Sequence, residues 1–455
     1  MMGTQDDQSA FFSYRVNLAR RVRADNPLRK IKEHVDFSFV RTEVAYLYGD
    51  NGNESVDPEV ILKMLFLLFF DNVKSERELM RTIPERLDYL WFLGYGLDDE
   101  TPDHSVLSKA RARWGRAVFE GLFVRTVEQA VRWGLVGGEK IHVDASLVDA
   151  DASNQKIVNG SPEMIAALRA AYGAQEQKLD QVRLDSYREP KYERTLNTTD
   201  PDAPLVAHRK GGAHGQARAR YKNHRVLDDR CGVITALTTT PGHVHEASCL
   251  VELTGQHEAH TGSMVKTVVA DQQYGTVENF RALQQQDKNT HMGALRAHGQ
   301  GPQQGIFSVT DFRYDSASDT YRCPAGQALT RRGFNKQENG WFYRAGSKIC
   351  RACPLRTRCI RSANVRYSRM VVRYVGQEWV ERGWQQSASP EGQQDRRRRM
   401  ILSEGNFGQA AQNHHFKRAR WRRLWRQQIQ DFLIATVQNV KKIIRVIRGP
   451  STAIA

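Results

Sequence analysis

A chain of 455 residues with 40% hydrophobic and 26% charged residues excludes wholesale disorder and a fibrous repeat, and it predicts a multidomain globular protein of roughly two to four units. Lys and Arg outnumber Asp and Glu by 67 to 51, and between positions 396 and 448 fourteen basic residues face two acids, Glu404 and Asp431, which implies a polyanionic partner or a solvated basic face. Six cysteines are too few for a disulfide scaffold, no basic start and apolar run opens MMGTQDDQSAFFSYRV, and the longest apolar run, 61–70, contains Lys63 and is about half what a bilayer needs, so a cytoplasmic protein is expected.

Residues 57–134 read as helical. Asp57-Pro58 is a helix start, and the following EVILKMLFLLFF is apolar almost all round, as a buried helix is. In TPDHSVLSKARARW, Thr101 can cap and Pro102 can occupy the first turn; the basic stretch 109–116 fits a helix-turn-helix unit or a plain bundle equally. After Gly137-Gly138, KIHVDASLV alternates like a strand with Asp144 near its end. A charged helical stretch over 162–181, strands in RYKNHRVLDD and GVITALTTT, a helix over 245–260, a buried strand in KTVVADQQYG leading into Asp271, and a helix over 276–286 complete an α/β order. From about 299 to 394 regular periodicity fades, which predicts an insertion, and helical pattern resumes over 396–416 and 425–447.

Asp144 and Asp271 each follow a short β-branched apolar run, and strand ends are where α/β proteins build sites. Glu404, on a helix through SEGNFG, can reach them only through the fold. Three carboxylates in one cleft repel unless cations neutralise them, and hard divalent ions, Mg²⁺ or Mn²⁺, suit that need. Two such ions can serve an in-line phosphoryl displacement. Acids at strand ends also cap turns, and Asp149, Asp151, Asp228 and Asp229 are local competitors.

Four of the cysteines, Cys323, Cys350, Cys353 and Cys359, form C-x26-C-x2-C-x5-C, a set able to hold one tetrahedral Zn²⁺ or to remain reduced thiols. Cys231 and Cys249 read as buried small apolar residues. In RARWRRLWRQQ, Arg420, Arg422 and Arg423 can track a DNA backbone, while Trp421 and Trp425, four apart, are core aromatics or a stacking platform. His414 and His415 read as helix-surface residues.

The segments DPEVILKMLFLLFF, SERELMRTIPERLDYLWFLG, TPDHSVLSKARARWG, GLVGGEKIHVDASLVDADAS, VVADQQYG and RRRRMILSEGNFGQA resemble those of DDE transposases from bacterial insertion sequences, as do RARWRRL and ATVQNVKKI. The resemblance implies an RNase H-like mixed sheet flanked by helices, with an all-helical N-terminal domain and a Cys-containing insertion before the last catalytic helix. The corresponding spans are 1–135 for DNA binding and assembly, 136–298 for the first part of the core, 299–395 for the insertion, and 396–455 for the Glu helix and basic C-terminal helices. It also implies catalysis by Asp144, Asp271 and Glu404 with two divalent cations, and double-stranded DNA, both terminal repeats and target, as partner. A homodimer or larger synaptic complex is implied too. A decayed DNA-binding regulator and a nuclease of the same core are the alternatives. Related sequences carry a Lys seven residues after the Glu, where this chain has Ala411, and an Asp after His, where it has Glu246. Phosphate contact from that helix then falls to Arg399 or to Lys417 and Arg418.

Overall fold

The computed structural model describes residues 16–49, 55–180, 195–206, 217–293, 305–336, 339–364 and 366–447. The first fifteen residues, on which the absence of a secretory pattern rests, lie outside them. Among the described residues no helix is long and apolar enough to cross a membrane.

In chain order the helices α1 (Leu18–Arg21), α2 (Pro27–His34), α3 (Phe39–Val44), α4 (Pro58–Phe70), α5 (Glu76–Glu85), α6 (Leu87–Leu93) and α7 (Ser105–Arg132) come first. Then follow β1 (Lys140–Asp149), β2 (Ile157–Asn159), α8 (Pro162–Asp180), β3 (Thr195–Asn197), β4 (Leu205–Val206), β5 (Arg218–Asp228), β6 (Ile234–Pro241) and α9 (Leu250–Thr261). β7 (Thr267–Ala270), α10 (Val277–Gln284) and β8 (Asn289–His291) lead into β9 (Arg313–Asp315), β10 (Thr320–Arg322), β11 (Ala328–Asn335) and β12 (Gly340–Arg344). The chain closes with α11 (Ser347–Arg351), β13 (Met370–Tyr374), α12 (Gln377–Ala388), α13 (Pro390–His414) and α14 (Leu424–Val446). Two compact units result: residues 1–245, 252–265 and 400–455 form one, and 246–251 with 266–399 the other.

In the first unit Asp57 caps α4 by accepting from Glu59 N, Pro58 fills the first turn, and Ile61, Leu62 and the run 64–70 are buried, as expected of a helix apolar all round. Entry to α7 differs from expectation. Asp103, not Thr101, orders it, with Oδ1 accepting from Ser105 N at 2.8 Å, because the helix starts past the Thr-Pro pair. α7 is also interrupted at Gly115 (φ 69°, ψ −170°), so 109–116 is not one continuous helix. Beyond the break, Val118, Phe119, Leu122, Phe123 and Val127 join the core that α14 shares, with Phe123 and Phe432 rings 5.7 Å apart.

The long strand β5 pairs antiparallel with β1, from Ile141↔Asp228 to Asp149↔Arg220, and with β6 on its other side. In the second unit β7 and β8 pair in parallel. Three antiparallel strands, a helix, a strand, a helix and a parallel strand, after a helical region, make a mixed α/β fold consistent with an RNase H-like core and a helical N-terminal domain. The described residues between 299 and 394 are not irregular. They hold an antiparallel sheet in the order β13-β12-β11-β10-β9, packed on Phe312, Tyr321, Leu329, Tyr343, Ala345 and Val371. Its strands are short and one face is largely exposed, so their apolar periodicity is faint. Helix α13 likewise begins before Arg396, at Pro390.

Candidate active site

Asp144 stands where the burial of β1 relaxes: Ile141, His142 and Val143 are buried, and 144–147 are half-buried. The strand expected over KIHVDASLV is present and runs to Asp149, which places Asp144 at its middle and not near its end. Pairing to β5 carries it on, as does a bridge to the segment after α13, in which Asp149 N donates to Lys417 O at 2.9 Å and Ala419 N donates to Asp149 O at 2.8 Å. The Asp144 Oδ1 accepts from Ala145 N at 2.8 Å. Ser146, two residues on and therefore on the same face, accepts a 2.6 Å bond from Lys417 Nζ.

Opposite Asp144 in register is Arg225, so these two side chains also share a face of the sheet. Arg225 is fully buried. Its Nη1 donates to Asn406 Oδ1 and to Gln438 Oε1, both at 2.8 Å, its Nε donates to Asn223 Oδ1 at 2.7 Å, and its guanidinium lies 4.5 Å from the Phe416 ring centre. Burial lowers its pKa to about 10 against the opposing pull of Asp431. Burial pushes Asp431 itself up to about 6, opposed by the Thr239 hydroxyl at 2.6 Å, by Arg225 and by Gln427. This network anchors α13 and α14 to β5.

Glu404 lies on α13 in the same unit as Asp144, on the exposed side, about 200° round the helix from Asn406. Met400 and Ile401 are exposed near it. Asp271 belongs to the second unit, immediately after the fully buried β7. It caps a single 3-10 turn, Gln272–Tyr274, with Oδ1 accepting from Gln273 N at 2.7 Å.

The competing acids all have structural partners. Asp149 pairs with Arg220 (2.7 Å) and Arg218 (3.0 Å), and Asp229 bonds His142 at 2.8 Å. Buried Asp228 accepts from the backbone N–H groups of Gly137, Gly138 and Arg230, fixing the turn into β1. Asp151 pairs with Arg422 and Arg418.

The basic run divides by direction. Lys417, Arg418 and Arg422 are exposed, and Arg399 is half-buried. Arg420 turns inward, its Nη1 donating to Val73 O (2.5 Å) and Lys74 O (3.2 Å) and its Nη2 to Asn72 Oδ1 (3.2 Å). Arg423, buried at φ 82°, meets Asp202 through Nη1 and Asp200 Oδ1 through its backbone N–H. Because α14 starts only at Leu424, Trp421 and Trp425 do not share a helix. Trp421 packs edge-on against Phe69 with the Arg111 guanidinium 3.8 Å from its ring centre, the core reading of that residue. His414 is not on the surface: it is buried, bonded to Phe69 O at 2.7 Å, and burial lowers its pKa to about 4, whereas His415 is exposed.

Cys323, Cys350, Cys353 and Cys359 all line one cavity of about 30 Å³ beside the small core of the second unit. Burial pushes the Cys359 thiol up, Arg369 pulls it down, and the other three cysteines push it up further. The thiols surround the cavity without closing into a cage: among the described residues no three His, Cys, Asp or Glu side chains stand ready to hold a metal ion. Cys249 is buried as expected. Cys231 is exposed, because it falls in the turn between β5 and β6 and not in a strand.

Arg225, Asn406 and Asp431 were invisible to motif reading, and the one sequence signal was an Arg directly before the apolar pair Val226-Leu227. Residues 16–113 match a family model described as a transposase domain, and residues 322–444 match one described as a transposase DDE domain. The second match contains Glu404, the four clustered cysteines and the basic run. No curated protein matches the chain.

Proposed function

Because this chain belongs to the DDE transposases of insertion sequences, we propose that it binds the inverted terminal repeats of its element, hydrolyses phosphodiester bonds there and joins the freed 3′-hydroxyl to target DNA. The observation that supports this reading is the matched DDE region, which contains Glu404 on the solvent side of α13; Asp144 in β1 and Asp271 after buried β7 are the acids proposed to complete the set. In this reading the three carboxylates hold two divalent cations, Mg²⁺ or Mn²⁺, for which a hard-oxygen donor set with no nitrogen or sulfur is suited. Such ions supply activation of the attacking oxygen and stabilisation of the leaving one.

The remaining work falls to the chain. Backbone N–H groups of Ala145 and Gln273 orient the Asp144 and Asp271 carboxylates. Arg225 clamps the helix bearing Glu404 to the strand beside Asp144. Lys417, bonded to Ser146 on the Asp144 face, provides a cation for a DNA phosphate, joined by Arg399, Arg418 and Arg422, while Arg420 and Arg423 hold the shape of the run. Water and then the 3′-hydroxyl are the successive nucleophiles, and no covalent protein intermediate forms. A structural Zn²⁺ at the four cysteines would have to draw together thiols that line one cavity but do not form a ligand set in this structure, and it would then stabilise the inserted sheet. The protein acts as a homodimer or larger synaptic complex in the cytoplasm, at the nucleoid.

The test supplies labelled terminal-repeat duplexes, intact and pre-cut, with Mg²⁺ or Mn²⁺. Wild type should cleave the first and join the second, and Asp271→Ala should lose both activities while binding nearly as tightly. Cleavage without joining would identify a nuclease, and tight binding without either reaction a regulator.

A further inference from the structure

Away from the acids, the first unit contains an open cleft of about 870 Å³. One wall is the helix 105–114, which turns Ser108, Lys109, Ala112 and Arg113 toward it; the other is the C-terminal run, contributing Trp421, Arg422 and Arg426. Pockets of this size that take small molecules are lined mainly by apolar and aromatic groups. Here five basic side chains, Lys109, Arg111, Arg113, Arg422 and Arg426, meet one acid, Glu76, and Glu76 is already ion-paired to Arg111. Arg422 pairs with Asp151 outside the lining, while Lys109 and Arg113 have no ion-pair partner among the described residues, so positive charge remains in excess on their wall. Arg111 is 3% exposed, and its buried Nε has no hydrogen-bond partner among the described residues. An unmade bond on a buried charged donor is destabilising unless a ligand supplies the acceptor.

We infer that this cleft seats the phosphate backbone of duplex DNA, with Lys109 and Arg113 as contacts additional to those of the C-terminal run. The inference rests on the transposase reading and adds a DNA surface to it. Duplex is favoured over single strand because the lining sets one aromatic group against five basic ones, and Arg111 already occupies one face of that group, Trp421. Contacts of this kind fix position and carry no sequence information.

The experiment measures binding of the full chain to a fluorescent terminal-repeat duplex across salt concentrations, for wild type, for Lys109→Gln combined with Arg113→Gln, and for Arg132→Gln. Lys109 and Arg113 are exposed, so the double variant is expected to fold, and circular dichroism checks this. Losing two contacts should flatten the log-log salt dependence by about 1.8, at roughly 0.9 per contact, which makes the double variant about tenfold less sensitive to a change from about 50 to about 200 mM salt. Arg132→Gln, on the exposed last turn of α7, should keep the wild-type slope. Lys109→Gln alone should flatten it by about 0.9 and provides a second reading should the double variant misfold. If wild type binds and joins DNA but the variant slopes equal its own, the cleft is refuted and the transposase reading stands. A stronger response with single-stranded than duplex probe also refutes it. Wild type that binds no DNA overturns both.

Discussion

Replacing Asp431 with Asn tests the buried network behind Asp144. Burial raises the Asp431 pKa to about 6 from the usual 3.8, so the fold binds this proton more tightly than the unfolded chain does. The associated stability is fully present below about pH 4 and is lost as pH rises through about 6, after which it stays lost. A difference of roughly two pKa units at about 1.4 kcal/mol each gives a loss on the order of 3 kcal/mol. Asn is the uncharged isostere and cannot undergo that loss. Its amide can keep the acceptor for Gln427 and donate to Thr239 Oγ1, which also accepts from Asn223. Removing the charge deprives Arg225 of a compensating partner, but with a pKa of about 10 Arg225 stays charged throughout this window, so that effect is a constant offset. Asp200, also raised to about 6, titrates in both proteins and cancels. Urea unfolding at several pH values should therefore show Asp431→Asn gaining about 3 kcal/mol on wild type between about pH 4 and about pH 7. A stability difference that does not change with pH, or one that moves against the variant, would refute the reasoning.

Arg420→Ala should lower stability by about 2–4 kcal/mol, since it removes charged donors from Val73 O, Lys74 O and Asn72 Oδ1, whereas exposed Arg422→Ala should stay within about 0.5 kcal/mol; equal losses in thermal unfolding would contradict the division of the basic run. Elemental analysis of the purified protein should find about one zinc per chain, reduced in Cys353→Ser with a lower unfolding temperature of the inserted sheet. Zinc-free protein whose unfolding is indifferent to a chelator would leave the cysteines as plain thiols.

Much of this arrangement was legible where local chemistry and tertiary demand agree. Asp57-Pro58 announces α4 because a cap and a fixed φ serve the helix whatever it packs on, and Val268 to Asp271 announces a buried strand ending on an acid. The inserted sheet was illegible because β11, ALTRRGFN, buries only Leu329 and β12, GWFYR, runs three aromatics together, so neither strand shows an apolar alternation over the small core. Arginine direction was illegible for a different reason. Arg420 and Arg422 are chemically identical and two apart, and only the carbonyls of the turn after α4 decide that one is fastened inside and the other faces water. Gly115 also conceals its role: a glycine within a helical pattern usually costs a little stability, whereas here its positive φ divides α7 in two.

The bridge between Asp149 and the segment 417–419 sets a length scale. From Asp144 to Asp149 an extended strand spans about 17 Å, at about 3.3–3.4 Å per residue, and the far end is tied to the basic run by two backbone hydrogen bonds. A strand paired to β5 is stiff against stretching, so the separation between Asp144 and the backbone of the basic run is set by covalent geometry, while the Lys417 side chain reaches back from there to Ser146. Along a duplex, where each step rises about 3.4 Å, that span corresponds to roughly five base pairs. The run cannot slide relative to Asp144 by even one such step without breaking both backbone bonds, and β1 thereby works as a gauge block between them.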